Sequence, residues 1–161
     1  MFFANADPRV LGYLGRALSL EFSAVQQYTT QARLAASWGL AAASERLQAE
    51  ATEENEHVSR IIGRMLALGV APNASQLRPV RLGRSLHELL LRDRELELAL
   101  VQLYGDATRH CARMGDHDNR MFFETLLEEE RAHGAELARW IEELEAASAQ
   151  VVAPERAGGR R

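Results

Sequence analysis

One cysteine, four prolines and no run of about 18 apolar residues are what this 161-residue sequence has least of. A lone Cys111 excludes an intrachain disulfide. Scarce proline leaves long segments free to be helical, and the alternating apolar–polar pattern of strands is almost absent. Without a long apolar run there is no candidate membrane-spanning helix. The opening MFFANADPRV has neither the basic start nor the apolar stretch of a signal peptide, so the sequence reads as cytoplasmic. A basic stripe is missing too: the net charge is -4 with both signs interspersed, which argues against a nucleic-acid partner. The remainder, 47% apolar and 26% charged, suits a soluble globular chain long enough for one domain and short for two.

Four helices follow from the pattern. Asp7 before Pro8 has the form of an N-cap with proline in the first turn, and that helix can run to about Ser37, where Trp38-Gly39 breaks it. A second extends from about Leu40 to Leu68 and ends at Gly69. The stretch GVAPNASQLRPVRLG, 69 to 83, holds two of the four prolines and reads as a loop. A third helix covers about Arg84 to Arg113, MGDHDN is a turn, and a fourth covers about Arg120 to Ala147. Residues 148–161, small, basic and Gly-rich, read as a mobile tail beyond a bundle of residues 1–147.

The first and last connections are short, which makes two antiparallel hairpins. Extended at about 3.3 Å per residue, the middle loop reaches roughly 50 Å, enough to cross the length of a helix rising about 1.5 Å per residue. The second and third helices are therefore expected to run parallel. The fold class is all-α, an antiparallel four-helix bundle with a long crossover.

A repeat sharpens this reading. LEFSAVQQY at 20–28 matches LELALVQLY at 96–104, an offset of 76. The same offset relates EENEH, with Glu54 and His57, to EERAH, with Glu130 and His133. Each E-x-x-H pair sits on one helix face. Glu21 precedes Glu54 by 33 residues and Glu97 precedes Glu130 by 33, so each lone glutamate lies level with its E-x-x-H partner. A pseudo-twofold bundle then gathers Glu21, Glu54, His57, Glu97, Glu130 and His133 at its centre.

Among 18 glutamates one E-x-x-H pair is unremarkable, and a solvated helix face accounts for it. Two pairs with lone glutamates at identical spacing inside a repeat point to a two-metal site. Four buried carboxylates with no cation would cost several kcal/mol each, and two divalent ions cancel their charge. Carboxylate and imidazole donors without thiolate suit iron or manganese, and one Glu from each of two helices with E-x-x-H from the other two is the ligand set of ferritin-like dinuclear proteins. Tyr28 and Tyr104 occupy equivalent repeat positions; a core tyrosine with a satisfied hydroxyl is the plain reading and a redox or hydrogen-bonding role the alternative. His87, His110 and His117 have no carboxylate at ligand spacing and read as surface or turn residues. Trp38 and Trp140 read as packing residues.

LEFSAVQQY, WGL at 38–40, EENEH, GVAPN at 69–73, RDRELEL at 92–98 and EEERAH at 128–133 together resemble bacterioferritin over residues 9 to 145. The resemblance implies a ferroxidase centre of two irons in which Glu54 and Glu130 bridge, Glu21 and Glu97 are terminal, and His57 and His133 complete the shells. Tyr28 matches the family's tyrosine beside that centre. The family oxidises ferrous iron with O2 or H2O2 and stores ferric mineral in a shell of 24 subunits, which implies a homo-oligomer.

Three departures qualify this. The family's haem-ligating methionine follows the bridging glutamate, and here that position is Asn55; an amide does not replace a thioether as axial ligand, so haem binding by that route is not expected. Shells mixed with a haem-binding sister subunit are compatible with Asn55. Ala49 replaces a histidine that in some members belongs to an inner-surface iron site, and Pro154 with a Gly pair stands where the family has a short fifth helix. The expected function is iron storage with ferroxidase activity. The alternatives are a non-storage di-iron oxidase or peroxidase of small oligomeric state, and a structural shell subunit.

Overall fold

The computed structural model describes residues 6–73 and 76–152. It contains α1 (Pro8–Ser37), α2 (Ala41–Ala67), α3 (Leu86–Met114) and α4 (His117–Val152). α1 packs on α2, α3 on α4, and α1 on α3. The core at the seam is aliphatic and aromatic, with Leu14, Leu47, Ile61, Leu100, Phe123 and Leu126 fully buried. No described helix is long and apolar enough to cross a membrane.

Local chemistry sets the boundaries. The Asp7 carboxylate accepts from Arg9 N at 2.8 Å, capping α1 ahead of Pro8. α3 begins at Leu86 because Ser85 Oγ accepts from Glu88 N at 3.2 Å, while Glu88 Oε2 accepts from Arg84 N at 2.7 Å. A Cβ on Gly83 would come within 2.5 Å of Glu88 Cβ, so this tight start requires the glycine. α3 ends on Gly115 at φ 68°, a left-handed cap that glycine adopts without strain. Ser85→Ala is expected to cost about 1 kcal/mol of stability by urea unfolding; an unchanged midpoint would show that the cap is idle.

Two boundaries differ from the sequence reading. α4 starts at His117 because Asp116 accepts from Asn119 N at 3.2 Å and Asn119 Nδ2 at 2.7 Å, which turns the MGDHDN turn into a cap. α4 also runs on to Val152, since ASAQVV contains no helix breaker; residues 148–152, assigned to the tail, are helical. The rest of the expected tail, 153–161, and the first five residues of the opening stretch lie outside the described residues.

The crossover lies along α1, held by a polar stripe at helical spacing. Ser19 Oγ accepts from Gln76 N, Ser23 Oγ from Arg78 N and Gln27 Oε1 from Arg81 N, at 3.1, 2.8 and 3.3 Å. Gln31 reaches the Arg81 and Leu89 carbonyls. The loop thus travels in the direction of α1 and delivers α3 antiparallel to α1, with Gln27 on Asp93 near one end and Asp7 on His110 at the other. α2 and α3 run parallel, as expected.

Candidate metal centre

All six candidate residues meet at mid-bundle. Glu21, Glu54, Glu97 and Glu130 are at most 1% exposed and His57 is 3% exposed, while His133 is partly buried. Two donor groups form: Glu21, Glu54, His57 and Glu130, and Glu54, Glu97, Glu130 and His133, each with ligating atoms within 4.8 Å of one another. Glu54 and Glu130 belong to both. The pseudo-twofold relation drawn from the repeat is therefore a property of the folded chain, and the imidazoles stack at 5.7 Å with 13° between planes.

Both histidines turn Nδ1 inward. His57 Nδ1 lies 2.7 Å from Glu130 Oε1, 3.1 Å from Glu54 Oε2 and 3.4 Å from Glu21 Oε1, without the alignment of a hydrogen bond. His133 Nδ1 lies 3.2 Å from Glu54 Oε1 and 3.6 Å from Glu130 Oε2. Among the described residues nine buried side-chain N or O atoms lack a hydrogen-bond partner, and six belong to this cluster. Folded proteins leave few such atoms, so their concentration at one point marks donors that a ligand completes.

The electrostatics agree. Burial first, then the charges of Glu54 and Glu130, push the Glu21 and Glu97 carboxyls well above the ordinary carboxylate range. Burial opposes a charge on His133, yet the adjacent Glu130 and Glu54 carboxylates push its imidazole up to about 12; His57 is pushed up likewise by Glu130, Glu21 and Glu54. Glu130 is buried too, but its close approach to both histidines holds its carboxyl below the usual range. Such a cluster attracts cations, and divalent ions bound there would displace protons. Four carboxylates and two imidazoles match two divalent ions in charge and in donor type.

Four other side chains support these six, and two of them, Glu53 and Glu129, are not singled out by the sequence. His57 Nε2 sits 2.9 Å from Glu129 Oε2, and His133 Nε2 sits 2.7 Å from Glu53 Oε2, so each ring is oriented by a carboxylate on its outer nitrogen. The repeated EE doublets, 53–54 and 129–130, carry that signal in the sequence. Tyr28 donates to Glu97 Oε1 at 2.5 Å and Tyr104 donates to Glu21 Oε1. Both tyrosines therefore touch the centre, and burial first raises both phenols well above their usual value.

The remaining residues fall elsewhere. His110 is a correction: it is 4% exposed, and its Nε2 is 2.6 Å from Asp7 Oδ2, joining the end of α3 to the cap of α1. His87 pairs with Glu145 on the surface at 2.8 Å, and His117 is exposed at the start of α4. Trp140 is buried under the Arg46 guanidinium at 4.1 Å, whereas Trp38, also read as a packing residue, is 37% exposed at the α1–α2 turn. Asn55 and Ala49 are exposed on α2.

Two antiparallel helix hairpins joined by a long crossover, with a central carboxylate–histidine cluster, define a ferritin-like protein. The ferritin-like domain model matches residues 11–147, and the chain belongs to that family. Its relatives within it include bacterioferritins: that of Rhodobacter capsulatus is 36% identical over 129 residues, covering 80% of each chain, and that of Brucella melitensis is 31% identical over the same share. A bacterial ferritin of Synechocystis is 31% identical over 139 residues, 86% of each chain. A solved structure of the Rhodobacter capsulatus protein superposes with a TM-score of 0.86 at 32% identity, over 96% of this chain and all of that one. That protein is described with a metal-free dinuclear site and a haem iron in a crystallographic special position.

Proposed function

We propose that this chain is the subunit of an iron-storage protein whose bundle centre is a ferroxidase, oxidising ferrous iron with O2 or H2O2 and passing ferric product to a store. The observation that carries this reading is the pair of donor groups sharing Glu54 and Glu130, with six unpartnered donor atoms between them. Ferrous iron is the substrate: two ferrous ions supply two electrons, which with two protons reduce O2 to H2O2 or cleave H2O2 to water.

The chain's own residues do the positioning. Glu54 and Glu130 hold both ions in one frame, and Glu21 with His57 and Glu97 with His133 complete the two positions. Tyr104 and Tyr28 fix the terminal carboxylates. Glu129 and Glu53 fix the imidazole tautomers with Nδ1 free to ligate. Burial excludes bulk water and strengthens every one of these interactions. The subunits assemble as a homo-oligomer in the cytoplasm, and with Asn55 in place of methionine this chain does not ligate haem by the family's usual route. Rapid mixing of anaerobic ferrous-loaded protein with O2 tests the centre: the fast ferric absorbance is expected to saturate at roughly two irons per subunit, the capacity of a dinuclear carboxylate site. Saturation at one, or no fast phase, would contradict it.

A further inference from the structure

The repeat that builds the centre is broken in charge just outside it. The 76-residue offset pairs Glu53 with Glu129, and each does the same job on the outer nitrogen of the opposite histidine. It also pairs Arg60 with Glu136 and Glu50 with Leu126, and there the halves diverge. On the His57 side Arg60 Nη1 donates to Glu129 Oε2 at 2.7 Å, so the carboxylate behind the imidazole is neutralised, and Leu126 is fully buried. On the His133 side Glu53 is 58% exposed in its side chain with no arginine on it, and Glu136 stands where the other half has its guanidinium. Glu50 completes a third donor group with Glu53 and His133. Among the described residues no arginine pairs with Glu50, Glu53 or Glu136.

Resting on the metal-centre reading above, we infer that the two cation positions are unequal: a divalent ion fills the position of Glu97 and His133 before that of Glu21 and His57, and Arg60 with Glu136 sets the difference. Both positions share Glu54 and Glu130, so the bridging carboxylates do not discriminate between them. Each has one terminal glutamate bound by one tyrosine, so those do not discriminate either. What differs is the surrounding charge: Glu50 and Glu53 lie at His133, with Glu136 at the repeat position of Arg60, against one carboxylate cancelled by one guanidinium behind His57. A cation is attracted by the first set and meets a neutralised pair at the second. Partial exposure of Arg60 and Glu129, 38% and 40% of their side chains, lets solvent screen the effect without abolishing it.

The test uses Co2+, which does not turn over. The full chain is crystallised without metal, soaked with less than one Co2+ per subunit, and the occupancy of each position is read from anomalous scattering. The unmodified protein is expected to show about tenfold more Co2+ beside His133 than beside His57, the lower end of what outer carboxylate partners contribute to metal affinity. Arg60→Glu, which gives the first half the residue the second half carries, is expected to bring the two occupancies within about twofold. Glu136→Arg is expected to do the same from the other side, and both positions are exposed or nearly so, with helicity as the folding control. Equal occupancy in the unmodified protein, or a ratio that neither substitution moves, would overturn the inference alone. Co2+ at neither position would overturn the metal-centre reading and this inference with it.

Discussion

Glu54→Ala is expected to slow the rapid phase of ferrous oxidation by at least about a hundredfold while leaving helicity intact. The magnitude follows from position. Outer residues that merely orient a ligand are worth about 10- to 100-fold in metal affinity or activity, and Glu54 lies in both donor groups, so its loss degrades both positions at once. The fold does not depend on it in the same way. Glu54 is fully buried among three other carboxylates, and its charge raises the Glu21 and Glu97 carboxyls. Removing that charge relieves crowding in the metal-free protein, which offsets part of the cavity left by the side chain. The metal-free variant should therefore melt close to the unmodified protein, while metal-dependent stabilisation disappears. Stopped-flow absorbance with and without the substitution reads the first effect and thermal unfolding with and without Co2+ reads the second. Unchanged oxidation kinetics would remove Glu54 from the centre.

The second large effect concerns haem. Supplied with haem, the purified protein is expected to show no bis-thioether absorption spectrum, whereas Asn55→Met is expected to gain one. Asn55 is exposed on α2, one residue after Glu54, so a thioether placed there points away from the core and does not disturb its packing. An amide offers no soft donor to the iron, and this is the physical basis of the difference. A bis-thioether spectrum from the unmodified protein would contradict the assignment.

The pattern in the sequence located the six central residues because they are bound by arithmetic: two E-x-x-H pairs and two lone glutamates share offsets of 76 and 33 residues. A periodic helix converts such offsets directly into positions on a face and a height along the bundle. Glu53 and Glu129 are not legible in the sequence because each is adjacent to one of the central glutamates, so it leaves its helix about 100° away and meets a histidine only across the bundle. The burial of His110 is illegible for a related reason, since its partner Asp7 is 103 residues distant and no local spacing announces it. The ends of α1 and α2 were legible from Asp7-Pro8, Gly39 and Gly69. The start of α4 was not, because Asp116 and Asn119 serve equally well in a turn and in a cap. The Ser19, Ser23, Gln27 and Gln31 stripe is legible as a polar line on α1 only once the crossover that it binds is in place.

Storage is what separates the proposed function from a dinuclear oxidase of small oligomeric state, and iron retention measures it directly. Ferrous iron is added in air at large excess over subunits, the mixture is passed through a sizing column, and iron and mass are assayed in the protein peak. The account predicts a large particle carrying tens or more irons per subunit, well beyond the roughly two that the bundle site alone holds. Roughly two irons per subunit in a small species would contradict storage and leave the centre as an oxidase without a reservoir.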